Sequence, residues 1–142
     1  KIYLGDGGAY LVSFVAGVTL IKFSNDNYLV SPYYIVALLW YPAYENLFSI
    51  IRKKISKKTP STPDNEHLHQ FIYLYLDKSF NIDKNFSNTL SGILICLYNL
   101  FYFLFIFDEY NQTETLAYSI IFNVLFYNLL YFLLRKKLFK NK

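Results

Sequence analysis

The sequence predicts an all-α fold, a polytopic transmembrane helical bundle with about four membrane spans. Hydrophobic residues fill 54% of the 142 positions and charged residues only 17%, against roughly a quarter charged in soluble domains. The charges gather in short clusters, and the apolar runs between them approach the ~20 residues that cross a hydrocarbon core of ~30 Å. Mean hydropathy is only slightly positive because the index penalises Tyr and Asn, and the chain has 15 Tyr. The pattern of segments is therefore the better guide.

The first predicted span covers residues 9–23. Its apolar stretch is short, about 14 residues, and such a length also suits a buried or interfacial helix. A start near Gly7, with Lys22 reaching outward along its aliphatic stem, makes it long enough to cross. The second span, 28–48, contains YLVSPYYIVALLWYPAY and accommodates Pro32 near its start. Its continuation Leu47–Ile51 is amphipathic and suits the membrane surface. The third and fourth spans, 89–107 and 115–134, are the clearest: Leu90–Phe107 and Leu116–Leu134 contain no charge. DEYNQTET between them is short enough only for a turn. Cys96, inside an apolar run, excludes an internal disulfide and reads as a small packing residue.

Charge sets the expected orientation. Arg52, Lys53, Lys54, Lys57 and Lys58 follow the second span, and Arg135, Lys136, Lys137, Lys140 and Lys142 form the tail. The other two loops hold only Lys22. Cationic loops stay in the cytoplasm, so the loop at about 51–88 and the tail are expected inside, at a plasma (inner) membrane. Four crossings place the N-terminal stretch on that side too. Within the loop, TPSTPD reads as an extended, turn-rich segment. EHLHQFIYLYL reads as a short amphipathic helix with Asp64 as N-cap. No secretory signal pattern opens the sequence. It starts inside a motif and lacks Met, so it is expected to be part of a longer chain.

Three groups of residues could carry chemistry. Asp6 stands among Gly5, Gly7 and Gly8 just before an apolar helix. A carboxylate there could hold Mg²⁺ facing a phosphate at the helix N-terminus; the other reading is a helix cap within a glycine turn. His67 and His69 are two apart, a spacing that diverges by ~200° on a helix and shares a face in an extended segment. They suit phosphate recognition beside the basic run, or are plain solvent-facing histidines. A zinc site is not expected without a nearby Cys or third His. The run RKKISKK serves topology and lipid headgroups without needing a catalytic role. Glu45, near the membrane, is expected to pair with Arg52 or Lys53.

The order of these features carries a resemblance. YLGDGGAYLV, a span, YPAYENLFSIIRKK and then TPSTPDNEHLHQ resemble, over residues 2–72, the polyprenyl-phosphate N-acetylhexosamine-1-phosphate transferases. Asp6 matches the family's magnesium-associated catalytic aspartate in LGDxGSxxLG. Pro42 and Glu45 with Arg52 and Lys53 match a Pro-x-x-Asp followed by a basic pair. Pro63, Asp64, His67 and His69 match a Pro-Asp-x-x-His-x-His-His loop, in the form of the bacterial branch that loads GlcNAc- or related sugar phosphates. Ala9 replaces the family Ser, Leu11-Val12 its Leu-Gly, Glu45 its Asp and Gln70 its final His.

The resemblance implies a reaction. A polyprenyl (undecaprenyl) phosphate attacks the β-phosphorus of a UDP-N-acetylhexosamine, UMP leaves, and a lipid-linked diphosphate sugar for cell-envelope polysaccharide, cell-wall or lipopolysaccharide synthesis forms. It implies Mg²⁺, with Mn²⁺ as a substitute, at Asp6, and His67, His69, Arg52 and Asp64 as substrate contacts. A homodimer is compatible and no nucleic-acid partner is expected. The family's paired aspartates lie upstream of this segment, so residues 1–142 alone are expected to be inactive. The rival is a non-catalytic membrane protein, such as a transporter segment or assembly subunit. A transporter should show ionisable groups or helix breaks at mid-membrane, and the last two spans offer only Asn99, Asn123 and Asn128.

Overall fold

A computed structural model describes residues 5–57, 59, 64, 66–80 and 83–139, apart from the side chain of Asp6. The described residues form six α-helices and no strand: α1 (Gly5–Asp26), α2 (Pro32–Leu38), α3 (Trp40–Ile55), α4 (Leu68–Phe80), α5 (Lys84–Ile106) and α6 (Thr113–Phe139), with one 3-10 turn at Phe107–Glu109. Helices α1, α5 and α6 are long and apolar enough to cross a membrane. The all-α bundle read from the sequence is thus borne out.

Several boundaries differ from expectation, each for a local reason. Helix α1 starts at Gly5, and no described residue in it is buried. The second span is two helices joined at Leu39. The break follows from Pro42, which has no N–H for the Leu38 carbonyl and whose ring crowds it. Pro42 is tolerated because it occupies the first turn of α3, where amides lack intrahelical partners anyway. Pro32 likewise opens α2, and Ser31 caps it by accepting from the Tyr33 N–H. Leu47–Ile51 does not lie along the surface as a separate piece; it is the middle of α3.

Helix α5 begins at Lys84, before the expected span, because the Asp83 side chain accepts from the amides of Asn85 and Phe86. Helix α6 continues past Leu134 through Arg135, Lys136 and Lys137, cations that suit the negative end of a helix dipole. The connection expected at 51–88 is therefore mostly helical.

The interior is small, and among the buried polar atoms of the described residues Trp40 Nε1, the Tyr41 hydroxyl and the Ser87 hydroxyl have no hydrogen-bond partner. One cluster joins Tyr34 and Ala37 of α2 to Ile106 and Leu116; the other joins Trp40 to Leu68, Phe71, Tyr127, Tyr131 and Leu134. Outward faces are apolar instead: Phe101, Phe105, Phe122 and Leu125 are each more than 60% exposed. An apolar surface of that extent belongs in lipid. Cys96 lies on this exposed surface of α5 and not in packing.

Two of the three asparagines of the last spans tie helices together. Asn123 accepts from the Tyr98 hydroxyl, and Asn128 Nδ2 donates to Tyr44 at 2.6 Å. Asn99 donates back to its own helix at Ile95. Such bonds are typical helix-to-helix ties inside a membrane.

The connections sort by end. Ser31 N–H donates to the Tyr110 carbonyl at 2.8 Å and its hydroxyl lies 2.9 Å from that of Thr113, so the turns with few cations meet at one end. At the other end the last turn of α3, the start of α4 and the last turns of α6 come together, bringing Arg52 to Tyr131 and Arg135 to Glu66.

Candidate functional site

The basic end is organised by one stripe on α3. Glu45, Ser49 and Arg52 follow the i, i+4, i+7 spacing of a single helix face, and that face receives Asp64, Glu66, His67 and Leu68. Arg52 donates to the Asp64 carboxylate, to the Glu66 carbonyl and, at 2.6 Å, to the Tyr131 hydroxyl. Its Nε lies 3.8 Å from the Glu66 carboxylate. The Ser49 hydroxyl donates to Asp64 as well. Asp64 in turn accepts the Glu66 N–H at 3.0 Å, closing a short side-chain turn.

These contacts decide the charge of Asp64. Burial opposes its ionisation, but the Ser49 hydroxyl, the Glu66 amide, Arg52 and His67 outweigh that cost and hold the carboxyl below its ordinary value.

The expected cap is corrected. Asp64 does not cap α4, which starts four residues later at Leu68. Gln70 Oε1 reaches back to the His67 N–H at 3.1 Å, the reverse arm of a capping box. The Leu68 N–H is taken by Glu45 Oε1 at 3.1 Å. Gln70, read from the sequence as a departure from a histidine, therefore holds the helix start.

Glu45 is also corrected. Its carboxylate turns to His67 Nδ1 at 2.9 Å and accepts from the Tyr127 hydroxyl at 2.9 Å, while Arg52 goes to Asp64 and Glu66. His67 Nε2 lies 3.8 Å from Asp64. His67 and His69 do share a face, with rings stacked at 5.6 Å and 12°. The helix begins between them, so His67 keeps a non-helical backbone and the helical divergence does not apply.

Of the four expected substrate contacts, Arg52, Asp64 and His67 are thus brought together, as partners within the protein. His69 alone is exposed to solvent. Asp6 occupies the first turn of α1, directly after Gly5, whose φ of 67° is left-handed and favours glycine. The side chain of Asp6 lies outside the described residues, as do Lys58, Pro63 and most of TPSTPD.

Among the described residues no group of three His, Cys, Asp or Glu side chains could hold a metal. Mg²⁺ commonly takes only one or two protein carboxylates, completing its shell with water and substrate phosphates.

Ser49, Tyr127 and Tyr131 went unnoticed in the sequence. The polar stripe on α3 could have pointed to Ser49. Nothing marks Tyr127 and Tyr131 among the aromatic residues of α6. Tyr127 also lines an apolar cavity of about 360 Å³ between α3, α4, α5 and α6, whose wall includes Trp40, Leu76, Leu94 and Leu130.

Comparison with known proteins agrees with the motif order. The chain is 29% identical, over 108 residues and 75% of its length, to an undecaprenyl-phosphate alpha-N-acetylglucosaminyl 1-phosphate transferase of Thermotoga maritima. It is 31% identical, over 49% of its length, to a decaprenyl-phosphate N-acetylglucosaminephosphotransferase of Mycolicibacterium smegmatis. The matches span 35% and 20% of those proteins, so the chain corresponds to about a third of the longer-matched relative. No family model and no solved structure matches. The resemblance to the polyprenyl-phosphate N-acetylhexosamine-1-phosphate transferases is borne out by these two relatives.

Proposed function

We propose that the full-length protein transfers an N-acetylhexosamine 1-phosphate from a UDP-sugar to a polyprenyl phosphate, releasing UMP, for cell-envelope polysaccharide synthesis. The observation that carries this reading is the set Asp64, Glu66 and His67 before α4, fastened to α3 and α6 at the basic end with His69 left outward. The names of both relatives describe N-acetylglucosamine phosphate transfer with a polyprenyl-phosphate. A lipid substrate explains why such a loop would sit at the end of membrane-crossing helices, and the basic end would face the cytoplasm, where nucleotide sugars are made.

In the reaction a lipid phosphate oxygen forms a bond to the donor's β-phosphorus. The bond from that phosphorus to the bridging oxygen breaks, and UMP leaves with the electron pair. Both reactants are anions, so positioning and fixed positive charge supply most of the catalysis. His69 would contact the donor diphosphate. Arg52 and Asp64 would hold the loop, and the lysines around them would raise the local potential felt by anionic substrates. Asp6 would hold Mg²⁺, which supplies charge neutralisation at the phosphates.

The test is radiolabelled sugar-phosphate transfer from UDP-GlcNAc and UDP-GalNAc to undecaprenyl phosphate by the full-length protein. Metal-dependent formation of a lipid-linked product with release of UMP is expected. No product with any donor overturns the reading.

A further inference from the structure

The Glu45 carboxylate of α3 accepts from the segment before α4, from α4 itself and from α6. Glu45 is 9% exposed. Oε1 takes His67 Nδ1 at 2.9 Å and the Leu68 N–H at 3.1 Å, and Oε2 takes the Tyr127 hydroxyl at 2.9 Å. A carboxylate only accepts, so each partner donates. That fixes the hydrogen of His67 on Nδ1 and fixes the ring plane. The same carboxylate holds the first amide of α4, the helix that carries His69 at its second position. The His69 ring then lies parallel to the held His67 ring.

Partner groups around the loop leave His67 little freedom. Asp64 stands on its Nε2 side at 3.8 Å, Gln70 holds its N–H, and Arg52 fastens the segment three residues earlier through the Asp64 carboxylate and one residue earlier through the Glu66 carbonyl. His67 is therefore held through Nδ1, with the Asp64 carboxylate beyond hydrogen-bond distance of its Nε2 edge. His69 is the ring left for a ligand.

We propose that Glu45 is a positioning residue that acts through His67: it sets the His67 tautomer and orientation, and the stacked His67 ring aims His69 at the phosphates of the nucleotide-sugar donor. The donor contact rests on the transferase reading; the positioning of His67 does not. A purely structural role would ask that position 45 satisfy its donors and fill space. A leucine there is close in size but leaves the Leu68 N–H, the Tyr127 hydroxyl and His67 Nδ1 without their acceptor, so it costs stability under either role, and the histidine shifts and the KM carry the distinction.

The experiment compares Glu45→Leu and Glu45→Gln in the full-length protein, reading donor KM, kcat and the imidazole ¹⁵N shifts of the two histidines. Gln keeps an acceptor for His67 and is expected to stay within about threefold of wild type in KM and to keep the Nδ1–H form. Leu is expected to raise donor KM about tenfold or more, to change kcat far less, and to move His67 toward the Nε2–H form that free imidazoles favour. If Glu45→Leu lowers the thermal midpoint, His67→Phe replaces it, because it leaves Glu45 in place and keeps a stacking ring without an Nδ1–H. A wild-type KM in both variants, or an unchanged His67 tautomer in Glu45→Leu, overturns the inference and leaves the transferase reading standing. A wild type inactive with every donor overturns the transferase reading, and the tautomer comparison then still decides whether Glu45 positions His67.

Discussion

Arg52 and Tyr131 meet at 2.6 Å, guanidinium to phenol, and so tie the last turn of α3 to the last turns of α6. The guanidinium also lies 5.7 Å over the Tyr131 ring and 6.0 Å over that of Phe48. With Asp64 and the Glu66 carbonyl as its other partners, one side chain fastens two helices and a loop. This separates Arg52 from the neighbouring cations. Lys54 and Lys57 are exposed, whereas Arg52 has only 13% of its side chain accessible.

Replacing Arg52 by Ala leaves Asp64 without its cation and is expected to cost about 3 kcal/mol, the low end for breaking a buried pair. Arg52→Lys is expected to recover less than half of this, since an ammonium cannot reproduce the planar fork. Denaturant titration of the detergent-solubilised protein measures both. Equal stability of Arg52→Ala and Lys54→Ala would remove Arg52 from this role.

Asp64 predicts an acid limit for the same tie. Its carboxyl is lowered on folding, so it adds stability above its unfolded value and loses it as pH falls through the lower folded value. The ordinary aspartate value is about 3.9. Thermal midpoints should therefore show no Asp64-dependent change between about pH 5 and pH 8, and an Asp64-dependent loss below about pH 4. In Asp64→Asn that acid-specific loss should vanish. An Asp64-dependent loss beginning near neutral pH would contradict the assignment.

How much of this was legible in the sequence depends on the kind of signal. Long apolar runs identified α5 and α6, because lipid imposes a length that composition reveals, whereas the short run of α1 also suited a buried or interfacial helix. The break at Leu39 was hidden: Pro42 could stand inside a kinked span or open a new helix. Helix ends were underestimated wherever charge continued the helix, as at Arg135–Lys137, because hydropathy marks the membrane and not the hydrogen-bond ladder. The residues 45, 52, 64 and 67 were all singled out, yet their pairing was not. Glu45 was expected beside Arg52 on one helix, but a loop brought a histidine to one and an aspartate to the other.

Lys57 sits just beyond the cap of α3 with φ of 55°. A left-handed residue at that position is usually glycine, and a side chain there costs about 1 kcal/mol. Lys57→Gly is expected to stabilise the protein by up to about 1 kcal/mol in the same titration. Destabilisation would mean that the ammonium has a partner worth more than the strain.

The sorting of connections by end predicts a topology. The turns around Ser31 and Tyr110 are bonded together at one end, and Arg52, Glu66 and Arg135 meet at the other. With cationic segments inside, a cysteine at position 57 should be labelled only from the cytoplasmic face and one at 111 only from outside. Cys96→Ser provides the background, and its exposed site makes the change harmless to packing. Labelling at 57 from outside overturns the orientation, and labelling of both from one face overturns the pairing of ends.

Asp6 offers the sharpest separation of chemistry from structure. It is the second residue of α1, after the left-handed Gly5, where a carboxylate could either favour the free amides of the first turn or hold Mg²⁺. Within the first turn the lost charge is worth only about 0.3–1 kcal/mol of helix-dipole interaction, so Asp6→Asn should leave insertion intact and stability within about 1 kcal/mol. As a magnesium ligand, however, an amide lacks the charge that a hard cation requires. Even outer-shell changes at metal sites cost roughly 10–100-fold, so losing a direct ligand should lower kcat by at least about a hundredfold. Raising Mg²⁺ should recover part of that loss if the ion binds more weakly, and none if Asp6 only shapes the turn. Turnover of Asp6→Asn within threefold of wild type at low Mg²⁺ would leave Asp6 as a first-turn carboxylate only, because nothing but the charge has been taken away.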